Sequence, residues 1–160
     1  MIQQLLVLAV FIVNLGGLWG ALLNKKFEAY RSFGFVVFYL LPLLSVFSSQ
    51  PRFDLDHFWW RIAGVVFILL GLGLAVWTRK SQRMTSGPYK FVRHPLYLSV
   101  ILIYVGWWWI WSAVYGFYFG LIILALIWLQ AYLEEKFILE QEFGDQYREY
   151  RRQTGMFWIK

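Results

Sequence analysis

Arg93 and His94, in the stretch TSGPYKFVRHPLYLS (residues 85–99), and the adjacent acids Glu134 and Glu135 are the residues whose types could do chemistry. A guanidinium forks onto a carboxylate or orients an anionic group. An imidazole takes up or gives a proton near neutral pH. Two neighbouring carboxylates at the edge of an apolar segment cannot both face lipid cheaply. One can accept hydrogen bonds from a ligand amine or ribose hydroxyl while the other pairs with Arg or Lys. Tyr89 and Tyr97 flank the basic pair, and Pro95 follows it directly. Proline suits the first position of a helix, where its missing N–H costs nothing. The N–H groups just beyond it lack intrahelical acceptors and favour an anion such as a ligand carboxylate. Gly87–Pro88 sets a sharp turn into the segment. Taken singly, each residue has a plainer use: Arg93 as a snorkelling anchor, His94 as a helix cap, the glutamates as a solvated helix end, the tyrosines as interface residues. Only convergence would make them a site.

Convergence depends on the helices that carry them. The 160 residues are 60% hydrophobic and 22% aromatic, with a mean hydropathy of +0.54, so the main solvent of this chain is lipid. Apolar stretches fall at 2–23, 33–49 and 58–78, and no charged residue occurs from Leu96 to Leu133. That run is nearly twice the ~20 residues of one crossing, so it must fold back, with an uncharged turn near Trp111–Gly116. The expectation is an all-α integral membrane protein of five transmembrane helices, the last two a hairpin, forming one domain over residues 1–160. Pro42 predicts a kink or tilt in the second span. A helix rising from Pro95 and its return to Glu134 have similar lengths, so Arg93–His94 and Glu134–Glu135 should meet at one depth.

All but Arg52 and Arg61 of the 15 Lys and Arg residues lie in the 1–2 connection, the 3–4 connection or the C-terminal tail. That asymmetry places the N-terminus outside and the C-terminus, with the polar clusters, in the cytoplasm of a bacterial inner membrane or endoplasmic reticulum. It also accounts for the net charge of +6 without nucleic acid. The first span, MIQQLLVLAVFIVNLGGLWGALLN, has no basic start or cleavage site and is expected to be retained. The absence of cysteine excludes disulfides and thiolate chemistry. Trp107, Trp108, Trp109 and Trp111 read as an interfacial aromatic belt. Asp54, Asp56 and His57 are metal-ligand types, but without a further ligand nearby they read as solvated loop residues, so no metal is expected. After the fifth span, Phe137, Ile138, Phe143, Tyr147 and Tyr150 recur among charges, as in an amphipathic helix at the cytoplasmic interface, broken at Gly144.

TSGPYKFVRHPLY, followed by EEKFILEQEFGDQYREY, resembles the isoprenylcysteine carboxyl methyltransferase and phospholipid methyltransferase superfamily. The shared pattern is G-x-Y-x-x-x-R-H-P-x-Y, then E-E, then F-G-x-x-Y-x-x-Y, and it covers residues 85–155. Ser99 stands where a glycine is frequent, and the Arg79–Ser86 connection is shorter than in the carboxyl methyltransferases. The resemblance implies a membrane-embedded enzyme that uses S-adenosylmethionine, with no Rossmann unit, and a lipophilic substrate entering from the bilayer. It implies cofactor contacts from His94 and Tyr97, with Tyr89 nearby, polar contacts from Glu134 and Glu135, and an orienting or charge-balancing role for Arg93.

A prenylcysteine-like carboxylate acceptor needs no base. An amine or thiol must lose a proton, and His94 or one of the glutamates is the acceptor at hand. Glu135→Gln and His94→Ala are expected to weaken cofactor binding without unfolding the protein. Two other classes fit the hydrophobic pattern: an NADPH-dependent membrane reductase of related core, and a non-enzymatic scaffold or subunit that keeps a vestigial pocket. Affinity for S-adenosylhomocysteine or for NADPH separates them.

Overall fold

The computed structural model describes residues 43–160, except 48, 56, 57, 83 and 85, together with Leu5 and Ala9. The first span, most of the second with Pro42, the cations of the 1–2 connection, Arg83, Asp56 and His57 lie outside the described residues. Among the described residues the regular elements are helical. They are α1 (Phe58–Arg79), α2 (Pro95–Trp111), α3 (Val114–Glu134) and α4 (Glu140–Gln153), with 3₁₀ turns at Ser45–Phe47 and Gly87–Lys90 and a π turn at Glu135–Leu139. The chain divides into two compact units, one formed up to Asp54 with Trp111–Phe119, the other by Leu55–Ile110 and Gly120–Lys160.

In the first unit, the uncharged turn falls at Ser112–Ala113, where Ser112 takes a left-handed φ of 49°. The segment Gln50–Phe53 ties it down. The Phe53 N–H donates to the Ser112 carbonyl (2.8 Å) and the Val114 N–H to that of Pro51 (3.1 Å). The Gln50 side-chain oxygen accepts from the Tyr115 and Gly116 N–H groups, meeting two orphan donors of the α3 N-terminus. Arg52 donates to the Trp111 carbonyl (2.7 Å), the matching service at the end of α2.

In the second unit, α1 and α2 run antiparallel at backbone contact. A Cβ on Gly64 would fall 2.8 Å from the Gly106 carbonyl oxygen, and one on Gly71 would fall 2.7 Å from that of Ser99. Small residues one heptad apart on each helix therefore set the crossing. Ser99 is buried and spends its hydroxyl on the Leu96 carbonyl (2.6 Å), so serine fills a position that tolerates little more than glycine. On α3, Ile123, Ile127 and Ala131 are fully buried at four-residue steps, a stripe whose continuation is Glu134 and Glu135. Gly120 lies under the Tyr104 ring.

The outward faces are apolar: Phe58, Trp59, Leu69 and Leu70 on α1, and Leu121, Ile122 and Trp128 on α3, are exposed. Helix α1 and the α3 segment are long and apolar enough to cross a membrane, and only 17% and 28% of their most apolar windows are buried. A core helix of a soluble protein would be mostly covered, so these faces suit lipid. Helix α2 is equally apolar but 17 residues long. The five-span count reaches beyond the described residues.

Candidate functional site

The approach to the site is fixed by backbone chemistry. Gly87 has a φ of 60°, and a side chain there would run into the Ser81 hydroxyl. The turn that follows returns the Phe91 and Val92 N–H groups to the Pro88 carbonyl (3.0 and 3.1 Å). Pro95 opens α2, leaving His94 just outside the helix while its carbonyl already accepts from the Leu98 N–H (3.0 Å). Tyr97 follows within the first turn. On the other side, α3 ends at Glu134 and passes into the π turn that begins at Glu135. A π turn re-aims the side chains that follow it.

The two polar clusters meet. Arg93 donates from Nε to Glu135 Oε1 (2.7 Å) and from Nη2 to Oε2 (3.4 Å), a fork on the carboxylate. His94 Nε2 lies 3.0 Å from Glu135 Oε1. The Tyr97 hydroxyl donates to Glu134 Oε2 (2.9 Å), and His94 Nδ1 lies 4.0 Å from that same oxygen. His94, Glu134 and Glu135 are 5%, 6% and 1% exposed, so this is a desolvated cluster. Burial alone would raise the Glu135 carboxyl, but hydrogen bonds from His94 and Arg93 outweigh it and hold its pKa below the ordinary value. An ionised Glu135 only accepts, so His94 Nε2 donates to it, while Nδ1 faces Glu134.

The adjacent glutamates thus divide as their chemistry requires, Glu135 onto the guanidinium and Glu134 onto a phenol. Arg93 Nη1 also donates to the carbonyls of Thr154 and Arg151. Of the two parts expected of Arg93, the geometry accommodates charge balance. The Tyr89 carbonyl accepts from the Tyr150 hydroxyl (2.6 Å), which ties the turn before the site to α4. Of Asp54, Asp56 and His57, Asp54 is the one among the described residues.

Sequence reasoning missed how much the C-terminal helix contributes. Gly144, with φ 53° and ψ −126°, does break it, and the helix is amphipathic. Two of its aromatics, Tyr147 and Tyr150, turn inward, while Phe137, in the π turn before it, is exposed. Tyr147 is 1% exposed, its hydroxyl lying beside Glu135 without reaching hydrogen-bond geometry. Burial, and then the charge of Glu135, push that phenol well above its usual range. Burial pushes the Tyr150 phenol up to about 12, which keeps it a donor. Beyond α4, the Arg93 N–H donates to the Gly155 carbonyl (2.9 Å) and the His94 N–H to that of Met156 (3.2 Å). The Y-x-x-Y spacing was the available signal for the first two; Thr154–Met156 gave none.

The residues present suit a cationic ligand. A buried carboxylate such as Glu134, which accepts from the Tyr97 hydroxyl and lies beside an imidazole, has the chemistry to face a sulfonium or ammonium group. Among the described residues the buried Tyr147 hydroxyl, beside Glu135, makes no well-formed hydrogen bond.

Comparison with known families gives one finding. Residues 78–146 match the family described as phospholipid methyltransferase, a segment that contains both polar clusters. No curated protein and no solved structure matches the chain.

Proposed function

From the match of residues 78–146 to the phospholipid methyltransferase family, we propose that this protein transfers a methyl group from S-adenosylmethionine to a lipophilic acceptor held in the bilayer. A phospholipid amine is the acceptor class nearest to that match, and a prenylcysteine-like carboxylate is the other. The observation that carries the reading is the buried meeting of His94 and Tyr97 with Glu134 and Glu135. The distribution of Lys and Arg supports a cofactor site facing the cytoplasm.

When bound, the cofactor supplies an electrophilic methyl group on a sulfonium. Glu134 and the rings of Tyr97 and His94 would hold its positive charge. Glu135 keeps the imidazole oriented through Nε2, and Arg93 keeps Glu135 ionised. Should the acceptor be an amine, His94 Nδ1 is the atom placed to take its proton. The apolar flanks of α1 and α3 offer a lipid-soluble acceptor a route that never leaves hydrocarbon.

The test is calorimetric titration of the detergent-solubilised protein with S-adenosylhomocysteine and, in parallel, with NADPH. Saturable binding of the first alone is expected. Binding of NADPH alone would establish a reductase, and binding of neither would leave a scaffold. Incubation with labelled cofactor and total lipid extract then identifies the acceptor.

A further inference from the structure

We propose that the segment Arg151–Phe157, beyond the end of the family match at residue 146, is a strap that sets the position of His94 for ligand binding, with Phe157 as its contact residue. This rests on the reading of the site as one for an adenosyl sulfonium nucleotide.

The strap is joined to the site at three levels. Along the backbone, Val92 and Gly155 form a parallel bridge, and the N–H groups of Arg93 and His94 both donate across it. Through the side chain, Arg93 Nη1 reaches the carbonyls of Arg151 and Thr154 while Nε holds Glu135. One guanidinium thereby links the end of α3 to the strap. By ring contact, Phe157 lies with its centroid 6.1 Å from that of His94, inclined at 55°, while Tyr97 lies at 5.4 Å.

The strap is built to stay in place. Thr154, Gly155 and Met156 are buried. The Thr154 hydroxyl and N–H both return to the Tyr150 carbonyl (2.7 and 3.0 Å), which closes α4 and starts the turn. A Cβ on Gly155 would collide with the Trp158 carbonyl, so only glycine permits this tight return. His94 is then located by two independent supports. Glu135 fixes its Nε2, and the strap fixes its backbone and one neighbour of its ring. Without the second support the imidazole can swing about Nε2, and Nδ1 no longer has one defined aim.

Phe157→Ala and Gly155→Ala, with Phe157→Tyr as the rescue, test this in detergent micelles, read by S-adenosylhomocysteine calorimetry and by amide hydrogen exchange at Arg93 and His94. Phe157→Ala is expected to weaken binding about tenfold, the scale of one lost aromatic contact. Its thermal midpoint should match wild type, and Phe157→Tyr should restore affinity. Gly155→Ala is expected to speed exchange at both amides and to weaken binding as well. Wild-type binding that neither variant alters would overturn the strap alone. Wild-type protein without affinity for the probe would overturn the parent reading and this one together.

Discussion

At the end of α3 two adjacent acids meet different partners, and their substitutions should separate accordingly. Glu135 shares its oxygens between Arg93 and His94, all nearly buried. Removing its charge leaves a guanidinium in a desolvated site, which costs about 3–5 kcal/mol. Glu135→Gln should therefore melt well below wild type, whereas the sequence alone suggested a folded protein with weak binding. Glu134→Gln keeps an acceptor for the Tyr97 hydroxyl and should melt within ~1 kcal/mol of wild type. Its affinity for S-adenosylhomocysteine should nevertheless fall more than about tenfold. Equal melting and equal affinity in the two variants would refute this division. The sequence could show that the acids adjoin and that one would seek a cation. It could not show which, because a one-residue step on a helix changes the facing side by about 100° and the π turn shifts it again.

Among the elements, the α1–α2 crossing is the part most sensitive to volume. Gly71→Val places atoms against the Ser99 carbonyl and should cost about 1–3 kcal/mol, seen as a lowered midpoint in mixed-micelle denaturation. Ser99→Gly should be nearly silent by the same measurement. Trp108, on the last turn of α2 and edge-on to Trp109, is far along the helix from His94. Trp108→Phe should leave methyl transfer almost unchanged, and a severe loss would move the site to the other end. The element boundaries that the sequence announced were those set by local backbone chemistry: Gly87–Pro88, Pro95, the turn after Trp111 and Gly144. The small-residue crossing and the inward tyrosines of α4 were not legible, since both depend on which neighbour arrives. An amphipathic pattern states that a face is covered and leaves open by what.

At the scale of the whole molecule, a pH response and an orientation can each be measured. The Glu135 carboxyl sits below its ordinary 4.5 when folded. As pH falls, the unfolded chain takes up that proton first, so the stability contribution is complete above the ordinary value and drains away between it and the folded value. Thermal melting in micelles should fall across that acidic window, and less so in Glu135→Gln. Orientation can be mapped cleanly because the chain has no cysteine. With a membrane-impermeant maleimide on intact cells, Asp54→Cys should label and Gln153→Cys should label only after permeabilisation. The reverse pattern would invert the proposed topology.

The tie between residue 93 and residue 154 also fixes an order of events in biosynthesis. Arg93 leaves the ribosome 61 residues before the carbonyl that its Nη1 will meet. Its first partner to emerge is Glu135, and the strap follows it. Until those later residues arrive, a nascent chain can insert its helices but holds an unfinished pocket. Ligand competence is therefore acquired only once residue 157 has emerged, later than the helices that carry the two polar clusters.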